Sequence, residues 1–237
     1  MTHVAFIGLG IMGSPMAVHL QNSGHHVSGY NKTNDRSGPL VAAGGRKAES
    51  IADAVAGAEI VAVMVPDSPD VQDVLLGEGG VFDTAKPGTL VIDFSSIRPD
   101  VTAELATIAG EKGFRLLDAP VSGGEAGAKN AALSIMVGGD SADFEAAKPV
   151  FDVVGKTVVH VGPNGAGQTV KAANQLIVGT HIQVLAEALV FLEAYGVDTA
   201  AALDVLGGGL AGSKVLEQKR QNMLNRSFAP GFRIDLH

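Results

Sequence analysis

The sequence predicts an α/β protein: an open, doubly wound sheet, then one long helix, then an all-α segment. Three observations predict it. Short apolar runs alternate with stretches of helical periodicity as far as Val161. A glycine-rich turn, Gly8-Leu9-Gly10-Ile11-Met12-Gly13, stands between the first apolar run and the first helical stretch. From Gly165 to Tyr195 the chain has no proline and repeats apolar residues at helical spacing, roughly 46 Å of helix at 1.5 Å per residue.

Composition bounds the possibilities. The 237 residues suffice for two domains. A hydrophobic content of 46% with 18% charged residues describes a compact chain, not a disordered one. Acidic residues outnumber basic ones 25 to 17, and the net charge of −8 argues against nucleic acid as a partner. The absence of cysteine excludes a disulfide framework and a thiolate metal site. The histidines show no paired ligand spacing with carboxylates, and His25-His26 reads as structural, so no metal is expected. The N-terminus enters an apolar strand pattern at once, without a basic region or a cleavage site, and no apolar run reaches membrane-spanning length. A cytoplasmic protein with no membrane partner is the expectation.

Taken in order, Val4–Leu9 is the first strand, Met16–Gln21 the first helix and His26–Tyr30 the second strand. A glycine fingerprint flanked in this way fits a dinucleotide. Its first glycine makes the tight turn, and its second lets a pyrophosphate approach the backbone. The third lets helix and strand pack closely, while the helix N-terminus faces the phosphates. Gly8, Leu9, Gly10, Ile11, Met12 and Gly13 are therefore candidate cofactor-binding residues of a Rossmann-like domain. At the end of the second strand an NAD site usually carries Asp or Glu for the ribose hydroxyls. Here Asn31, Lys32 and Thr33 stand there, with Arg36 close behind. Those side chains can hold a 2′-phosphate that a carboxylate would repel, so NADP(H) is favoured over NAD(H).

Further strands follow at Ile60–Val65, closed by Pro66-Asp67-Ser68-Pro69, and at Thr89–Phe94, ending in Ser95-Ser96, with helices over Val71–Leu76 and Asp100–Lys112. Both strand ends fall at the carboxyl edge, where an open parallel sheet presents its ligands. Phe114–Leu117 leads into Asp118-Ala119-Pro120-Val121-Ser122-Gly123-Gly124. Leu133–Val137 and Thr157–Val161 are the last strands, separated by a helix over Ala142–Val154. The break at Gly162-Pro163-Asn164 sets the expected domains: 1–162 for the cofactor, 163–195 for an interdomain helix, and 196–237 for the start of an all-α domain with helices over Ala200–Leu206 and Ser213–Asn225.

Two stretches carry further chemistry. In Ser122-Gly123-Gly124, consecutive glycines let N–H groups converge into an anion-binding concavity, although a plain turn uses glycine as well. In the long helix Lys171, Asn174 and Gln175 lie at i, i+3 and i+4 and project from one face. That helix is apolar nearly all round and is predicted to be buried. A lysine with two amides there is costly unless a ligand or partner compensates it.

With GLGIMG at 8–13, DAPVSGG at 118–124 and GxxxKxxNQ from Gly167 to Gln175, the chain resembles the β-hydroxyacid dehydrogenase family along its whole length. GGLAGS at 208–213 and PGFRIDLH at 230–237 point to the branch acting on tartronate semialdehyde. The resemblance implies that Lys171 is catalytic, that Ser122, Gly123 and Gly124 hold a substrate carboxylate, and that Asn174 and Gln175 orient substrate and lysine. It implies that Val65, Pro66, Asp67 and Ser96 line the cofactor cleft. The substrate is then a small aldehyde or hydroxyacid bearing a carboxylate, with 3-hydroxyisobutyrate, succinic semialdehyde and glyoxylate as alternatives. A catalytically silent NADP-binding or assembly module is the alternative of another class. Many members carry Asn where Gln175 stands here. In the family the helical domain continues past the Leu236-His237 dipeptide, so an incomplete all-α domain, and a homodimer or homotetramer covering its apolar surface, are expected.

Overall fold

A computed structural model describes residues 2–33 and 35–229. The PGFRIDLH stretch lies outside the described residues. The fold divides into two compact units, Met1–Lys171 and Ala172–His237, and one helix runs through the division.

The first unit opens with β1 (His3–Ile7), α1 (Gly13–Asn22), β2 (His26–Tyr30), α2 (Gly38–Ala42) and β3 (Arg46–Lys47). It continues with α3 (Ile51–Val55), β4 (Ile60–Val63), α4 (Ser68–Leu76), α5 (Val81–Thr84), β5 (Leu90–Asp93) and α6 (Pro99–Glu111). Then come β6 (Arg115–Asp118), β7 (Val121–Ser122), α7 (Gly124–Lys129), β8 (Leu133–Gly138), α8 (Ser141–Val154) and β9 (Gly155–Gly162). α9 (Ala166–Ala194) starts in this unit; α10 (Thr199–Gly208) and α11 (Lys214–Leu224) belong to the second.

The sheet order is β3-β2-β1-β4-β5-β6-β8-β7, with β9 beside β8. From β3 to β6 every pairing is parallel, and the order reverses between β1 and β4. That switch point is where a doubly wound sheet opens a crevice outside its carboxyl edge. Strand alternation feeds two cores. Val4, Phe6, Val27, Ile92 and Leu117 pack on one face with Met16 and Leu20 of α1 and Phe151 of α8. Ala5, Ile7, Val61, Val63 and Val91 pack on the other with Val71 and Leu75 of α4 and Leu105 of α6. A sheet covered on both faces needs near-continuous apolar strands, which is what β1, β4 and β5 supply.

The alternation of strands and helices read from the sequence continues after β6, but the uniformly parallel pairing does not. β8 runs antiparallel to both β6 and β7, and β9 is parallel to β8. The cause is the connection: α7 is a helix of 6 residues, and a parallel crossover needs a dozen or more.

In the second unit Leu185 and Leu189 of α9 are buried with Leu203 of α10 and Leu216 of α11. The expectation of a helix buried nearly all round is not met. Leu176 is 73% exposed and Phe191 62%, and Ile177, Val184 and Val190 are exposed too. Two short helices can cover one side of α9, while its apolar residues lie on several. The expectation that no apolar run reaches membrane-spanning length is not met either: by length and a mean hydropathy of 1.6 over its most apolar stretch α9 does, as core helices of soluble proteins also can.

Candidate active site

The glycine fingerprint folds as its chemistry requires. Gly8 follows β1 with φ +98°, a conformation that L side chains rarely adopt, and a Cβ there would strike Met64 O. At Gly13 a Cβ would strike Gly8 O and approach Phe6, so α1 packs against β1 only without a side chain. Gly10 differs: nothing lies within 4 Å of its added Cβ. That open approach, at a helix N-terminus without a side-chain cap, fits a pyrophosphate held by backbone N–H groups. Leu9 is buried and Ile11 is half exposed.

Beside this turn a cavity of about 230 Å³ is lined by Leu9, Tyr30, Asn31, Lys32, Thr33, Lys47 and further residues of β2 and of the segments that follow β2 and β3. Asn31 Oδ1 accepts a hydrogen bond from Leu9 N–H at 2.9 Å, tying the end of β2 to the glycine turn. Lys32 Nζ bonds Asp73 at 2.8 Å, and both side chains are largely exposed. Asp73, by hydrogen bond and by charge, raises the Lys32 ammonium above its usual range. Arg36 is exposed and does not line the cavity. Asp35, Ser37, Lys47 and Glu49, which the sequence reading passed over, do line it. Lys47 lies 3.3 Å from both Asp35 and Glu49, and Ser37, through hydroxyl and N–H, pulls Asp35 down to about 2.

On the other side of the switch point, Asp67 caps α4 by accepting from Ser68 N–H at 2.6 Å. Pro66 and Ser96 are exposed at the carboxyl edge. Val65 N–H donates to Ser95 Oγ at 3.0 Å, so the ends of β4 and β5 are joined by the serine that the sequence reading left aside. Asp93 is buried beside Asp118, its register partner on β6. Burial pushes the Asp93 carboxyl up to about 7.

Ser122 ends β7, and Gly123 and Gly124, at φ +137° and +60°, turn the chain into α7. Lys171 meets this turn: its Nζ donates to Val121 O at 2.7 Å. Burial pushes the Lys171 ammonium down from 10.5 to about 8. The structure thus brings Lys171 to Val121, the residue before Ser122 and 50 residues away in sequence. Asn174 and Gln175 follow one helical turn on and bond to each other, Nδ2 to Oε1, at 2.9 Å.

The family model described as the NAD binding domain of 6-phosphogluconate dehydrogenase matches residues 3–162. The one described as NAD-binding of NADP-dependent 3-hydroxyisobutyrate dehydrogenase matches residues 165–237. The 2-hydroxy-3-oxopropionate reductase of Escherichia coli is 44% identical over 236 residues, which span 99% of this chain and 80% of the reductase. The chain belongs to the β-hydroxyacid dehydrogenase family. As a β-hydroxyacid dehydrogenase it is an oxidoreductase with NAD(P)-binding domains. The 3-hydroxyisobutyrate dehydrogenase of Pseudomonas aeruginosa is 35% identical, over 100% of this chain and 82% of that one. In three dimensions the 3-hydroxyisobutyrate dehydrogenase of Mycobacterium tuberculosis, solved with L-serine, superposes with a TM-score of 0.88. It is 34% identical, over 100% of this chain and 82% of that one.

Proposed function

We propose that this β-hydroxyacid dehydrogenase reversibly reduces tartronate semialdehyde to D-glycerate with NADPH, and that Lys171 is its general acid. The observation that carries the reading is the part-buried Lys171 ammonium, lowered to about 8 and held 2.7 Å from Val121 O at the entrance to the Ser122-Gly123-Gly124 turn. The substrate is that of the E. coli reductase, 2-hydroxy-3-oxopropionate, which is tartronate semialdehyde.

A bound nicotinamide cofactor supplies the hydride for the aldehyde carbon. As the carbonyl oxygen gains negative charge, Lys171 stabilises it and then gives it a proton, leaving a hydroxyl on the substrate and a neutral amine on the enzyme. In the oxidative direction the neutral amine takes that proton back. The N–H groups and hydroxyl of the Ser122 turn hold the carboxylate, fixing which carbon is presented. Asn174 and Gln175 orient substrate and lysine. Gly8–Gly13 hold the pyrophosphate, with Val65, Pro66, Asp67 and Ser96 along the cofactor cleft.

The preference for NADP(H) is supported by Asn31, Lys32 and Thr33 around the cavity at the end of β2. An exposed ion pair such as Lys32 with Asp73 is weakened by solvent screening, so a 2′-phosphate can displace it. The same proposal assigns 1–162 to the cofactor, 163–195 to the interdomain helix and 196–237 to an all-α segment, and it places the enzyme in the cytoplasm. The exposed apolar residues of α9 support a homodimer or homotetramer, and a monomer in sedimentation at micromolar concentration would count against it.

The deciding assay follows NADPH oxidation with tartronate semialdehyde, succinic semialdehyde and glyoxylate, and NADP+ reduction with 3-hydroxyisobutyrate. The highest kcat/KM is expected with tartronate semialdehyde. A higher value with any of the others overturns the substrate, and no turnover with any of them overturns the catalytic reading.

A further inference from the structure

The first turn of α9 is held by an unusual set of partners. Its N–H groups would ordinarily be capped by a side chain just before the helix. Instead Asp118, at the end of β6, accepts from Gly165 N–H at 2.8 Å and from Gln168 N–H at 3.0 Å. The packing leaves no slack there. A Cβ on Gly167 would strike Met136 O and come within 2.8 Å of Asp118 Oδ2, and a Cβ on Gly138 would come within 2.5 Å of Asp118 Oδ1.

The Gln168 side chain, 1% exposed, reaches in the other direction. Its Nε2 donates to Ser95 O at 2.8 Å, and its Oε1 accepts from Ile97 N–H at 3.1 Å. One amide therefore clamps both backbone neighbours of Ser96. Ser95 in turn accepts from Val65 N–H through Oγ and donates its own N–H to Asp93 at 2.9 Å. A continuous run of hydrogen bonds leads from the end of β4, across the end of β5, to the start of α9. Lys171 stands three residues beyond Gln168 on the same helix.

We propose that Gln168 is a positioning residue: by clamping the Ser95–Ile97 loop to the first turn of α9, it fixes Lys171 relative to the Ser96 side of the proposed cofactor cleft. The inference rests on the reading of Lys171 as the acid. Gln168 touches neither substrate nor cofactor in this assignment. It acts by holding two backbone groups that would otherwise be left buried and unpaired, so its loss lets the loop and the helix start move apart. Displacements of about 1 Å from residues away from the chemistry can cost about 100-fold in rate.

The test uses the whole chain with Gln168→Met, which keeps the length and removes both bonds, and Gln168→Glu. Besides kcat and KM, the pH dependence of Lys171 trinitrophenylation is read peptide by peptide in a mass spectrometer. In Gln168→Met kcat should fall about 10- to 100-fold with little change in KM for NADPH. The Lys171 modification midpoint should move upward as the ammonium becomes hydrated. Gln168→Glu regains a donor toward Ser95 O only when its carboxyl is protonated, so its kcat relative to wild type should climb as pH falls, while Gln168→Met stays level. Unchanged kcat together with an unchanged Lys171 midpoint overturns the inference, and so does a loss confined to KM. If Lys171→Ala keeps normal kcat, the acid reading fails, yet the midpoint still reports whether Gln168 positions the lysine. In the wild type the Ile97 amide must be protected from hydrogen exchange; exchange at the rate of an open loop overturns the inference whatever the variants do.

Discussion

Replacing Lys171 by methionine keeps much of the side chain's length and removes its charge, so it isolates what the buried ammonium costs the fold. Burial lowers this group from 10.5 to about 8, a difference that corresponds to about 3 kcal/mol. Against this stands the bond to Val121 O, whose loss costs about 1 kcal/mol. Below pH 8 the variant should therefore be more stable than wild type by about 2 kcal/mol. The pH dependence is the sharper test. Between about 8 and 10.5 the unfolded chain holds the proton that the folded chain has released. Wild-type stability must then rise with pH relative to the variant across that window. Below it both states are protonated and the penalty is constant; above it both are neutral and the penalty is gone. Urea unfolding of both proteins from pH 7 to 10.5, with the two-state assumption checked by a second probe, measures the difference directly. Parallel stability curves through the whole range would refute the assignment of a buried, depressed lysine.

Four further outcomes follow from the site. Lys171→Ala should lower kcat about 10²- to 10⁴-fold with little effect on NADPH affinity, and Lys171→Arg should not restore the rate, because guanidinium gives up its proton too reluctantly. In the wild type, steady-state rates across pH should show reduction failing above about 8 and oxidation failing below it, and the same limb in both directions would contradict an acid–base lysine. Asn31→Asp should turn the preference toward NADH by repelling a 2′-phosphate; equal or better kcat/KM with NADH in the wild type would end the NADP reading. Gly10→Ala should fold normally and bind NADPH poorly, since its Cβ meets open space where the pyrophosphate approaches, whereas Gly13→Ala should fail to fold. Normal NADPH affinity in Gly10→Ala, read by fluorescence titration, would remove the pyrophosphate from that turn.

The cofactor half of the sheet was legible because its signals are local. β1, β4 and β5 are apolar runs bounded by turn residues, and the glycine fingerprint needs only its own neighbours to be recognised. Arg46–Lys47 was missed because two residues carry no alternation to detect, although that strand supplies Lys47 to the cavity. The antiparallel turn at β8 was missed for a related reason: its cause is the shortness of α7, which periodicity does not report. Apolar residues all round α9 showed that the helix needs cover, but pattern alone does not say from where, and α10 and α11 meet only one side. Lys171 could be singled out by its spacing with Asn174 and Gln175. Gln168 could not, because its partners lie about 70 residues away and its role is set by the meeting of two strand ends.

Those long-range bonds bear on why Lys171 titrates as low as it does. A buried lysine next to a carboxylate forms an ion pair, and the opposite charge holds the proton more tightly. Two buried carboxylates, Asp93 and Asp118, lie at the same edge of the sheet as the turn that Lys171 meets. Asp118 is committed to the start of α9, where burial raises its carboxyl against the N–H groups of Gly165 and Gln168 and the positive end of the helix, which favour its charge. Asp93 is bonded to Ser95 and, pushed up to about 7 by burial, carries only part of a charge near neutrality. Lys171 meets a neutral carbonyl, Val121 O, and burial is what lowers it. By giving its carboxylates to the helix start and the loop, the fold leaves an ammonium that can release its proton at about pH 8.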